Sequence, residues 1–301
     1  MAGILYLVFG LGVLITQDVI MKLLSDEYPV WQFGVVRSIV AVSIISLVLI
    51  ITGKTKQFRP NRLGLLITRG ILTFFGFTFY YLAIAAVSLA EAASIFIVAP
   101  LILTALSAPL LGEKVGARRW IAVAMGFIGV LVIVRPGFGA MQPALLIALG
   151  SPICYALMLA ITRKIGPADT GATVTLYNMA VFGLASGVGS LVLLFFEPLS
   201  SQDPSLSFLT RDWAMPTKIH MALMAATGAV TALGHWCSAQ AYRMTPASLL
   251  SPFEYTSFVW AVILGFLIWG HLPGALTFAG AAIVVFSGGY VMRRDALLPH
   301  R

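Results

Sequence analysis

Residues 83–136 read AIAAVSLAEAASIFIVAPLILTALSAPLLGEKVGARRWIAVAMGFIGVLVIVRP, and residues 241–294 read AYRMTPASLLSPFEYTSFVWAVILGFLIWGHLPGALTFAGAAIVVFSGGYVMRR. Laid over one another without a gap, the two stretches put Ala83 on Ala241, Gly112 on Gly270, Gly116 on Gly274 and Arg135 on Arg293. Each opens on a turn, Val87-Ser88-Leu89-Ala90 in the first and Thr245-Pro246-Ala247-Ser248 in the second. An apolar run follows, then a break at Gly112-Glu113 or Gly270-His271, then a second apolar run thinned by Gly126 and Gly129 or by Gly288 and Gly289. Few side chains are shared, so hydropathy is what repeats. Weak internal similarity of this kind is the mark of a membrane carrier assembled from two repeats.

Composition places the rest of the chain in the same setting. Of 301 residues 59% are hydrophobic and 10% charged, and the mean hydropathy of +0.97 leaves more apolar surface than a soluble core can hide. A hydrocarbon slab of about 30 Å asks for roughly 20 apolar residues per helix, so about ten spans use most of the chain and leave no room for a soluble catalytic domain. The formal charge of +8 does not point to nucleic acid, because the basic residues punctuate the ends of apolar runs instead of gathering in one patch. Cys154 and Cys237 both lie inside apolar runs and read as packing residues. The first run has neither a basic stretch before it nor a convincing small-residue cleavage site and is expected to remain as a helix.

Apolar runs read against charged, Pro and Gly breaks predict ten helices: 3–24, 31–51, 63–86, 90–111, 117–134, 143–163, 172–196, 218–242, 248–269 and 274–292. Five fall in a first repeat, residues 1–140, and five in a second, residues 141–301. An odd number of spans per repeat inserts the two halves with opposite orientation. The fold class expected is therefore all-α, a polytopic membrane protein of ten helices in two inverted repeats around a central cavity. Of the 19 Lys and Arg, Arg37 and Arg69 fall within spans; Lys22, Arg135, Arg211 and Lys218 fall on one side and the remaining thirteen on the other. That bias predicts both termini in the cytoplasm. The segment from Glu197 to Pro216, rich in Ser, Pro and Asp, reads as the longest hydrophilic loop, on the outside. Small residues four apart, Gly183 with Gly187 and Ala122 with Gly126, suit close helix approach within the bundle or across a weak dimer.

No phosphate-cradling loop, zinc-protease helix, nucleophile elbow or metal-spaced cluster is present in the sequence, and no cofactor is expected. Ionisable groups inside apolar runs are costly in lipid and so mark candidate sites. Glu254 follows Pro252 in the ninth span, where Ser251, Ser257 and Phe258 continue its stripe. His235 in the eighth span is equally far from the turn near Met244-Thr245 and is expected at similar depth, as a hydrogen-bond partner of Glu254 that serves either transport or packing. Thr231 and Ser238 extend the polar stripe around it. Glu91, three residues after Ser88, fits a capping box. Asp18 one turn before Lys22 suggests mutual neutralisation, and Arg37 and Arg69 are expected to snorkel with a substrate-carboxylate clamp as the less favoured role. Pro100 and Pro252 interrupt the same element in each half, which is the sequence pointer to a transport site. Tyr80, Tyr81, Tyr255 and Trp260, with Ser94 on the fourth span, complete the candidate substrate-binding set.

These residues carry a resemblance. Tyr81-Leu82-Ala83-Ile84-Ala85, Ala99-Pro100-Leu101, Gly112-Glu113-Lys114, Gly126 to Val130 and Arg135-Pro136-Gly137, with Glu254 to Trp260 and Gly270 in the second copy, are similar to the EamA-type repeat of the drug/metabolite transporter superfamily. The chain resembles the YddG-type amino-acid exporters of that superfamily over its whole length. The resemblance implies a carrier in the cytoplasmic membrane of a bacterium. Its cavity is lined by the third, fourth, eighth and ninth helices, and it exports aromatic or neutral amino acids by alternating access, alone or as a weak homodimer among lipids. His271 in place of Glu113 is a departure, which weakens any claim that the Gly-Glu pair binds substrate in both halves. A proton-coupled efflux carrier for aromatic or cationic drugs is the alternative, and a lipid-modifying enzyme using His235 and Glu254 as acid and base is a third.

Overall fold

The computed structural model describes residues 2–111, 117–134, 143–165, 168–193, 195, 203–244, 250 and 253–295. Among them there is no strand, and the chain is an all-α polytopic membrane protein. The helices are α1 (Ala2–Leu24), α2 (Val30–Ile51), α3 (Leu63–Ala86), α4 (Leu89–Phe96), α5 (Ala99–Leu111), α6 (Ala117–Val134), α7 (Pro143–Ala148), α8 (Gly150–Ile165), α9 (Gly171–Leu193), α10 (Pro204–Thr210), α11 (Lys218–Met244), α12 (Thr256–Trp269) and α13 (Ala275–Asp295). Five stretches, 2–24, 30–51, 63–86, 144–162 and 171–193, are long and apolar enough to cross a bilayer, and four shorter apolar helices accompany them. Each predicted span, in its described residues, falls on one of the thirteen helices or on an interrupted pair.

Two interruptions shape the interior. The fourth span breaks at Ile97-Val98, where α4 ends and α5 begins with Pro100 in its first turn. Proline has no amide to donate, so it sits best where an amide has no helical partner. The sixth span breaks at Leu149 between α7 and α8, which the sequence reading did not foresee. Pro252 and Ser251 lie outside the described residues, as do Gly112, Glu113, Gly116, Arg135 and the turn 245–248. Within the ninth span the helix restarts after Tyr255 and ends on Gly270 at φ 68°, a left-handed cap that glycine adopts without strain.

Glycines let several helix backbones approach closely. A Cβ on Gly129 of α6 would stand 2.8 Å from the Gly280 carbonyl oxygen of α13, and one on Gly280 would stand 2.6 Å from that of Gly129. Gly10 of α1 and Gly234 of α11 cross in the same way. Without such small residues the backbones are held apart and lose their packing contacts in lipid. Gly183 packs on Ser38, whereas Gly187 has open space beside it. The principal pairings are α1 with α11, α6 with α13, α2 with α9, and α3 with both α8 and α9.

The segment read as a hydrophilic loop contains a further helix. Asp203 caps α10, its carboxylate accepting from the amides of Ser205 at 2.9 Å and Leu206 at 3.2 Å, with Pro204 at the first helical position. α10 is pinned to the bundle end by one face: Ser205 Oγ donates to the Leu82 carbonyl at 2.8 Å, Trp31 Nε1 to that of Leu209 at 2.8 Å, and Phe208 is buried. At the other end Asp169 accepts from the amides of Asn61 at 2.7 Å and Arg62 at 3.1 Å, tying the α2–α3 connection to the α8–α9 loop.

Candidate functional site

A cavity of about 170 Å³ lies at the centre, between α1, α3, the α4–α5 break, α8, α11 and the residues preceding α12. The third, fourth, eighth and ninth spans line it as expected, and the first and sixth join them. Its aromatic corner is built by the α4–α5 break, which turns Phe96 inward. The Phe96 ring centroid lies 4.8 Å from Tyr155 and 5.7 Å from Tyr80. Tilted rings at these distances make a surface for another flat ring.

Polar groups share the lining with these rings. Asp18 is buried in the wall, with the Tyr80 hydroxyl donating to its carboxylate at 3.3 Å. The neutralisation expected from Lys22 does not occur. The Lys22 ammonium instead donates to the carbonyls of Ile84 and Val87, each at 2.7 Å, and so caps the end of α3. Among the described residues no cation pairs with Asp18, and an unpaired carboxylate at this depth is suited to accept a proton or a cationic group. Glu254, Ser257, His235 and Ser238 also line the cavity. The buried Nε2 of His235 has no hydrogen-bond partner, so the expected bond to Glu254 is not made through it.

The other sequence candidates are sorted by their neighbours. Tyr80 lines the cavity. Tyr255 does too, but its buried hydroxyl is unpartnered and lies against Gly288, where any Cβ would collide with it. Tyr81 sits behind the wall, its hydroxyl accepting from Gln17 Nε2 and from Arg37 at 2.7 Å, while Gln17 Oε1 accepts from Thr231. Trp260 is turned away, its indole N–H donating to the Val8 carbonyl at 3.0 Å. Ser94 is fully buried and donates to the Glu91 carbonyl at 2.6 Å. Glu91 closes the predicted capping box with Ser88.

Neither interior arginine snorkels. Arg37 is 2% exposed, and Arg69 donates across to Thr162 on α8 at 2.9 Å. Sequence reasoning missed Asp18, Gln17, Phe77 and Tyr155 as cavity residues. For Asp18 the signal was present, a carboxylate within an apolar run, and the nearby Lys22 masked it.

Residues 1–135 match the EamA-like transporter family. Over these residues the chain is similar to the EamA-like transporters. It is a membrane transporter, and its relatives are named as such. A riboflavin transporter of Vibrio cholerae is 27% identical over 88% of this chain and 86% of its own length. An S-adenosylmethionine uptake transporter of Rickettsia conorii is 26% identical over 89% and 85%, and a pseudopaline exporter of Pseudomonas aeruginosa is 24% identical over 94% and 93%. A crystal structure at 17% identity superposes with a TM-score of 0.62, covering 96% of this chain and 98% of that one, so the fold of this chain is one already seen in a crystal.

Proposed function

We propose that this transporter is an alternating-access carrier for small metabolites that present a flat aromatic ring beside polar or cationic groups. The observation that carries the reading is the central cavity itself, which the Tyr80–Phe96–Tyr155 corner lines together with the carboxylates of Asp18 and Glu254. A planar ring stacks on such a corner, and a cationic group is drawn to such acids. Riboflavin and S-adenosylmethionine, named for two relatives, both contain a fused heteroaromatic ring, and the aromatic amino acids expected from the sequence belong to the same class.

The halves, residues 1–140 and 141–301, are read as inverted repeats that rock around this site. The helix pairings support that reading. Exchanging the first span with the sixth, the second with the seventh and so on turns the α1–α11 pairing into α3–α8, turns α3–α9 into α2–α11, and leaves α2–α9 and α6–α13 unchanged. Every one of those pairings occurs. The charge bias supports a bacterial cytoplasmic membrane with both termini inside.

Counterflow into proteoliposomes with labelled tryptophan, riboflavin and S-adenosylmethionine tests the cargo class, and preloading either side reads the direction. Uptake of at least one ring compound is expected, reduced tenfold or more by Tyr155→Ala and by Glu254→Gln. Uptake unaltered by both substitutions would remove the cavity from the transport path.

A further inference from the structure

The cavity explains two carboxylates but leaves the two interior arginines unused, of which Arg37, at 2% exposure, is the more deeply enclosed. Arg37 of α2 has no carboxylate within ion-pair distance among the described residues, and of its guanidinium nitrogens only Nη1 is bonded, to the Tyr81 hydroxyl. Nε and Nη2 are buried without a hydrogen-bond partner. Three rings box the group, its central carbon lying 4.2 Å from the Phe182 centroid, 5.2 Å from Phe77 and 5.7 Å from Tyr81. One of the three, Phe77, is also a wall of the central cavity. Phe77 thus borders both the cavity and a guanidinium fork with two unpartnered donor nitrogens.

We propose that Arg37 is the anion-binding residue of the transport site, covered in this state by Phe77 and uncovered when that ring turns, and that it receives a carboxylate carried by the cargo. A purely structural tie to Tyr81 uses one donor and needs no charge. A buried guanidinium with no anion in contact is costly in the membrane interior; the aromatic box and the field of Asp18, which lies beyond ion-pair distance, offset that cost only in part. The fork geometry matches a carboxylate through two parallel bonds, and Nε with Nη2 is one such donor pair. Arg37 would hold the negative end of a cargo whose ring lies on Tyr155 and whose cationic group faces Asp18 or Glu254. The inference rests on the reading of the cavity as the cargo site and narrows the class to ring compounds bearing a carboxylate.

The test is direct binding to the purified protein in phosphatidylcholine nanodiscs, by calorimetry, with three probes. They are indole-3-propionate, its carboxamide isostere indole-3-propionamide, and glutarate, which has no ring. The expected result is a preference for the carboxylate over the carboxamide of about tenfold or more. In Arg37→Gln that preference falls to about one with carboxamide affinity retained, and Arg37→Lys keeps part of it. Phe77→Ala, which leaves the guanidinium intact, is expected to tighten glutarate binding. A preference unchanged in Arg37→Gln overturns the proposal. So does the failure of both carboxylates to bind the unaltered protein, or, should Arg37→Gln not fold, glutarate binding unmoved by Phe77→Ala. Glutarate bound through Arg37 while neither indole compound binds would uphold the anion site and sink the ring reading.

Discussion

Tyr81→Phe separates the two tyrosines that end α3, because it deletes one oxygen without altering packing volume. That oxygen accepts from Arg37 at 2.7 Å and also from Gln17, which in turn accepts from Thr231. Removing it leaves a guanidinium with no hydrogen bond and frees the Gln17 amide. A bond to a charged donor contributes about 1.5–3 kcal/mol, and a neutral bond between membrane helices contributes about 0.6 kcal/mol. The expected loss of stability is therefore about 2–4 kcal/mol. Tyr80→Phe removes one bond of 3.3 Å to Asp18 and is expected to cost about 1 kcal/mol, yet to weaken cargo binding more, since Tyr80 lines the cavity and Tyr81 does not. Equilibrium unfolding in mixed micelles measures the first quantity. A double-mutant cycle of Tyr81→Phe with Arg37→Gln isolates the pair, with a coupling of about 1.5–3 kcal/mol expected. Coupling below about 0.5 kcal/mol, or equal costs for the two tyrosines, would refute the reasoning.

Asp169→Ala removes the acceptor shared by the amides of Asn61 and Arg62; a loss of about 1–3 kcal/mol in the same unfolding assay is expected, with ring-compound affinity unchanged. Gly280→Leu drives a side chain into the α6 backbone at Gly129 and is expected to destabilise by about 1–3 kcal/mol, while Gly187→Leu, facing open space, shifts stability by less than about 0.5 kcal/mol. Trp260→Phe loses the bond to Val8 and about 1 kcal/mol, but is expected to leave ring-compound affinity within threefold, which equilibrium binding reads.

What the sequence determined by itself was what a bilayer imposes locally. Apolar length, Gly and Pro breaks and the Ser88–Glu91 cap are dictated over a few residues, since lipid offers the backbone no partner and each helix must satisfy itself. That is why the spans, the interruption at Pro100 and the capping box were legible. The cavity was legible as far as Tyr80, Pro100, His235, Ser238, Glu254, Tyr255 and Ser257. Which polar residue meets which is decided by distant chain segments. Lys22 turns from Asp18, four residues away, to carbonyls more than sixty residues away; Trp260 turns to Val8; and Tyr155 reaches Phe96 because α4 breaks where it does. Side-chain direction on a helix follows from the sequence, but the neighbour in that direction is chosen by tertiary packing, and in lipid that neighbour decides whether a charge is a strut, a cap or a binding site.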